Sequence, residues 1–153
     1  MKKMMRLLLC LLLTACLNDG TDTGNPGLIE GDPMDGVTSS FLTQFADSIC
    51  MRLGECEGGP LSGCRSDLFD QDNIDTEIGV GDLDYPTLGD INTAQVMGDL
   101  TGNTDDLITC IQDIEALSCS DSDVMNAYDP MASNPYVGVA TIIPGTCSTI
   151  LTN

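Results

Sequence analysis

The sequence predicts a mainly α-helical domain, small, stapled by disulfides, with long irregular loops between its helices. Three observations predict it. Two stretches, 38–53 and 104–117, repeat apolar residues at helical spacing with polar residues between them. Six cysteines, Cys50, Cys56, Cys64, Cys110, Cys119 and Cys147, lie in the part of the chain that holds those stretches. Finally, 16 Gly and 7 Pro against 3 Phe, 3 Tyr and no Trp imply a thin core, which covalent staples would reinforce.

The chain opens MKKMMRLLLCLLLTAC. Lys2, Lys3 and Arg6 precede an apolar run from Leu7 to Leu13, and the small residues Thr14 and Ala15 follow. This is the layout of a secretory signal peptide over residues 1–15. The run is too short to cross ~30 Å of hydrocarbon, which takes about 20 apolar residues as a helix. Leu13-Thr14-Ala15-Cys16 resembles the lipobox of bacterial lipoproteins: a branched apolar residue, two small ones, then cysteine. The resemblance covers residues 1–16 alone. It implies a diacylglyceryl group on the Cys16 thiol, cleavage just before it, and acylation, typically by palmitate, of the new amino group. Two or three acyl chains anchor a protein firmly, at ~0.8 kcal/mol per buried CH₂, whereas one holds only marginally. Leu17 stands where an aspartate would signal inner-membrane retention, so the resemblance implies a cell outer membrane address. The alternative is an ordinary signal peptide cut near Ala15, with Cys16 left as a free or paired thiol.

Residues 16–37 form the lipidated N-terminus and a tether. LNDGTDTGNPGLIEGDPMDGV shows neither helical nor alternating pattern and is rich in Gly, Asp, Asn and Pro. At ~5–6 Å × √n such a segment typically reaches about 25 Å. The helical, cysteine-rich domain then occupies 38–153.

Its first helix is expected over Thr38–Leu53, where Phe41, Phe45, Ile49 and Leu53 recur every four residues beside Leu42, Ala46 and Cys50. Ser39 or Ser40 caps its start and Gly54 is the expected stop. A shorter helix over Leu61–Asp70 gathers Leu61, Cys64 and Leu68. DQDNIDTEIGVGDLDYP reads as an acidic loop. A third helix covers Thr87–Leu100, with Leu88, Ile91, Met97 and Leu100 apolar and Gly89 and Gly98 weakening it. The second strong helix, Thr104–Leu117, aligns Leu107, Cys110, Ile111, Ile114 and Leu117, with Asp105 and Asp106 in the first turn, where the helix dipole favours anions. Beyond Cys119 the chain is irregular. VGVATII, 137–143, suits a short strand or buried extended segment, and Cys147 is placed to fasten the C-terminus.

With Cys10 removed and Cys16 lipidated, six cysteines remain, an even number that suits three disulfides in an exported protein. Cys110 and Cys119 would stand ~13 Å apart on a continuous helix, beyond the reach of a disulfide. Cys56 and Cys64 flank the GGPLSG turn, and Cys50 and Cys110 lie on the apolar stripes of the two strong helices. The expected pairs are therefore Cys56–Cys64, Cys50–Cys110 and Cys119–Cys147.

Charge restricts function. Removing 15 of the 153 residues leaves 138, with two arginines, Arg52 and Arg65, against 24 carboxylates. The net charge moves from −19 to −22, with no lysine and no histidine remaining. Nothing is left to neutralise phosphates, so nucleic acid is excluded as a partner. Basic contact with anionic lipid is excluded likewise. Cations or a basic protein partner are what such a surface attracts.

The same inventory removes most catalytic chemistries. Serine–histidine and cysteine–histidine pairs need a histidine the chain lacks, and a serine–lysine pair needs a lysine the mature part lacks. The cysteine spacings Cys50-x₅-Cys56 and Cys56-x₇-Cys64, with no CxxC, do not fit zinc. Two carboxylates ~5–10 Å apart could hydrolyse a glycoside, but abundant acids in a chain poor in aromatics single out no pair. For a metal, calcium fits best. Asp70, Asp72, Asp75 and Glu77 place hard oxygen ligands on one loop, as do Asp121 and Asp123. The loop is not an EF-hand, since Asp75 occupies the glycine position counted from Asp70. A solvated acidic loop explains the same residues.

These readings converge on a cell-envelope lipoprotein with a non-enzymatic structural or interaction role, displaying an acidic domain on a lipid tether. The alternatives are a calcium-stabilised adhesion or ligand-binding module, and a carboxylate-dependent hydrolase, which would need a cleft with two close carboxylates, one of raised pKa.

Overall fold

Ser40 starts the first helix, its hydroxyl accepting a hydrogen bond from the Thr43 amide at 3.2 Å. The computed structural model describes residues 40–153; Cys16, the signal segment and the tether lie outside the described residues. The domain is mainly helical and stapled by three disulfides.

Helix α1, Phe41–Glu57, buries Leu42, Phe45, Ala46, Ile49 and Leu53, the stripe its sequence repeats. It does not stop at Gly54 as expected. The helix runs one turn further to Gly58, which takes the left-handed conformation at φ +82° and sends its N–H back to Glu55 and Gly54. Gly54 serves packing instead: a Cβ there would meet the Gly59 carbonyl oxygen at 2.9 Å. The chain thus doubles back tightly against α1.

Helix α2, Cys64–Phe69, is shorter than the expected 61–70, because Gly63 holds φ +79° ahead of it. Helix α3, Leu88–Met97, begins at the Thr87 cap and ends at Gly98 in the left-handed region. Met97, expected on its apolar face, is 75 % exposed. Helix α4, Thr104–Glu115, is capped by the Asn103 side chain, which accepts from the Asp105 and Asp106 amides, and buries Leu107, Cys110, Ile111 and Ile114. A short α5, Ser122–Asn126, follows.

The core forms where α1 packs on α4 and α4 packs on a 3₁₀ segment, Gly145–Thr149. The acidic stretch after α2 is not merely loop. Its apolar residues Ile74, Ile78 and Val80 are buried, Thr76–Ile78 form a 3₁₀ turn, and Gly79 lies against Gly145–Thr149. Apolar residues every few positions anchor the segment while its carboxylates face outward. The 137–143 segment is no strand. Val139–Ile142 form a 3₁₀ helix with Val139 and Ile142 buried, because a lone strand would lack backbone partners. The sheet instead pairs β1, Thr101–Gly102, with β2, Leu151–Thr152, antiparallel, with Thr101 opposite Thr152.

The disulfides are Cys50–Cys64, Cys56–Cys119 and Cys110–Cys147. Cys110 and Cys119 do not pair, as expected, but none of the three expected pairs forms. The reason is the extra turn of α1. With the helix continuing through Cys56, the doubling-back chain carries Cys64 two turns down to Cys50, not to Cys56. Cys56, on another side of α1, reaches the segment after α4. Cys110 lies on the face of α4 that covers the C-terminal 3₁₀ segment, so Cys147 is its neighbour and the C-terminus is fastened there.

Candidate functional site

A groove of about 560 Å³ runs along the outer side of α1. Asp47, Met51 and Glu55, four residues apart, form one wall; Gly59, Pro60, Leu61 and Arg65 form the other. The Cys50–Cys64 disulfide ties the two walls together. The floor is apolar and Met51 stands 49 % exposed within it.

Charge at this groove differs from the rest of the surface. Arg65 grips Asp47 bidentately, Nε to Oδ1 at 2.6 Å and Nη2 to Oδ2 at 2.8 Å. Arg52 pairs with Glu55 at 2.7 Å and also donates to the Leu117 carbonyl after α4. Arg52 and Arg65 are the only basic side chains among the described residues; Arg65 lines this groove, whereas Arg52 lies on the flank of α1 that faces the end of α4.

A second, smaller groove of about 350 Å³ lies between the end of α4 and the 3₁₀ segments. Leu117, Val124, Ile142 and Ile143 line it, with Asp113, Asp121 and Asp123 at its rim. Two of these carboxylates have local work: Asp113 accepts from Thr146 and Asp121 caps α5 by accepting from the Asp123 amide.

The calcium candidates sit apart in role. Asp70 is the C-terminal cap of α2, exposed Asp72 accepts from the Asn73 side chain, Asp75 opens the 3₁₀ turn, and Glu77 lies within it. Among the described residues no group of three or more His, Cys, Asp or Glu side chains is placed to hold a metal ion. The Tyr136 pKa is raised chiefly by burial and secondarily by Tyr128 and Asp67 nearby. Its ring packs on Tyr128 with centroids 5.2 Å apart. Tyr136 is packed into the core rather than opened to a cleft.

Each of the six cysteines beyond Cys16 is consumed in a disulfide. No helix among the described residues is long and apolar enough to cross a membrane. The α1 groove was not anticipated from the sequence; its signal is the row Asp47-x₃-Met51-x₃-Glu55 on the helix side opposite the core stripe. Comparison with protein-family models, with curated proteins and with solved structures finds no match for this chain.

Proposed function

We propose that the protein is a cell-envelope lipoprotein with a non-enzymatic structural or interaction role, holding an acidic, disulfide-stapled domain on a lipidated Cys16. The observation that carries this reading is the cysteine inventory. All six cysteines of the described domain pair with one another, so none of them remains as a partner for Cys16, at the end of Leu13-Thr14-Ala15. Three disulfides suit an oxidising compartment. The lack of histidine and mature-chain lysine leaves little nucleophilic chemistry, and the acidic surface would attract cations or a basic partner.

The intact mass of protein taken from its own membrane, before and after reduction with alkylation, tests it. A mass of residues 16–153 plus two or three acyl chains, less six hydrogens, is the expected result. Cys16→Ser is expected to release the protein from membranes without changing its melting curve. An unlipidated Cys16 in native material, or a variant that stays membrane-bound, overturns the anchor.

A further inference from the structure

We propose that the groove between the end of α4 and the 3₁₀ segments is a docking site for a basic, apolar segment of a partner protein, one in which aliphatic side chains are flanked by Lys or Arg. The groove combines an apolar floor with carboxylates that no cation of the described domain neutralises. Leu117, Val124, Ile142, Ile143 and Pro144 supply its apolar lining. Asp113 of α4, and Asp121 and Asp123 at the start of α5, stand exposed at its rim. Asp113 accepts from Thr146 through Oδ2, and Asp121 accepts from the Asp123 amide through Oδ1. None of the three joins an ion pair among the described residues.

The two arginines of the described domain are committed elsewhere. Arg65 holds Asp47, and Arg52 pairs with Glu55 while reaching the Leu117 carbonyl from the α1 side, outside the lining of this groove. The carboxylates of the α1 groove are thus already matched, and those of this groove are not. That difference, with the apolar floor, fixes the chemistry of the occupant. A metal ion needs carboxylates converging on one point, and no such group is placed among the described residues. Carboxylates around an apolar floor instead suit side chains that carry an aliphatic stem and a cationic head, as Lys and Arg do. A volume of about 350 Å³ lies at the low end of the ligand-site range of ~300–1,000 Å³, which gives room for a few side chains rather than a whole helix. The inference deepens the interaction role proposed above and rests on it, but not on the anchor at Cys16.

Isothermal titration calorimetry of the mature protein in nonionic detergent, at ~0.15 M salt to screen distant charges, tests the site. The probes are the capped pentapeptide KLKLK, its equally charged counterpart KSKSK, and spermine. KLKLK is expected to bind about tenfold or more tightly than either of the others, because it alone places leucine on the apolar floor. Asp113→Asn, Asp121→Asn and Asp123→Asn, made together, keep an acceptor for Thr146 and for the α5 cap. They should weaken KLKLK by about tenfold, the loss of three exposed charge pairs. Asp72→Asn, Asp82→Asn and Asp84→Asn, made together at exposed positions of the acidic stretch, change the net charge equally and should leave the affinity within about twofold. Melting curves verify that both variants fold. Equal weakening by the two triple variants, KSKSK or spermine binding as tightly as KLKLK, or no binding of KLKLK overturns the proposal. Any of these outcomes leaves the lipid anchor to be decided separately by the intact mass.

Discussion

Gln71 and Asn134, 63 residues apart, exchange hydrogen bonds amide to amide: Gln71 Nε2 donates to Asn134 Oδ1 at 2.6 Å and Asn134 Nδ2 donates to Gln71 Oε1 at 3.0 Å. The pair joins the end of α2 to the irregular segment before Tyr136, whose amide also donates to Asn134 Oδ1. Gln71 is 6 % exposed, so removing Asn134 leaves its buried Oε1 without a donor, while Nε2 keeps only the Asp67 carbonyl at 3.3 Å. Asn134→Ala should cost about 1–3 kcal/mol in urea unfolding. Adding Gln71→Leu should recover part of that cost; fully additive losses would show the two amides uncoupled.

Two glycines with positive φ separate conformation from crowding. Gly98 holds φ +86° with open space around a Cβ, whereas Gly79 holds φ +92° with the Ser148 carbonyl oxygen 2.3 Å from where a Cβ would sit. Gly98→Ala should cost about 1 kcal/mol, the conformational part alone. Gly79→Ala should cost several times more, because the C-terminal 3₁₀ segment must move. Equal shifts in melting temperature would contradict this placement of Gly79.

Tyr136 gives the protein an alkaline limit. Its folded pKa is raised above the ordinary tyrosine value of 10.0, so the folded state holds the phenolic proton longer than the unfolded chain does. Between those two values the native state binds more protons, and stability falls as pH rises. The contribution is fully present below about pH 10 and declines above it. Tyr136→Phe should flatten that alkaline fall in melting temperature, measured in rapid scans that limit disulfide exchange.

The disulfides differ in access. Cys119 is exposed and its partner Cys56 half-buried, whereas Cys110 and Cys147 are both fully buried. Under mild reductant, alkylation and peptide mapping should find Cys56 and Cys119 labelled first and Cys110 and Cys147 last. The bond closing 63 residues and the one closing 37 should each contribute about 4 kcal/mol on the chain-entropy account. Replacing Cys110 and Cys147 by alanine should therefore leave a chain that melts far earlier.

The sequence by itself determined the fold class, the core stripes of α1 and α4, and that six cysteines suffice for three bridges. These follow from local periodicity and counting, which need no knowledge of what lies opposite. The acidic surface was legible in the same way, since 24 carboxylates cannot all be buried. Tertiary structure alone decided which cysteines pair, because one further helical turn at Gly54 rotates Cys56 away from the returning chain. It decided that Ile74, Ile78 and Val80 plug the core, that 137–143 is a 3₁₀ segment, and that a two-residue strand closes the C-terminus. It also decided the α1 groove, where Arg65 meets Asp47 across 18 residues. Each of those outcomes depends on a partner distant in sequence, and a contact between distant residues leaves no period in the chain.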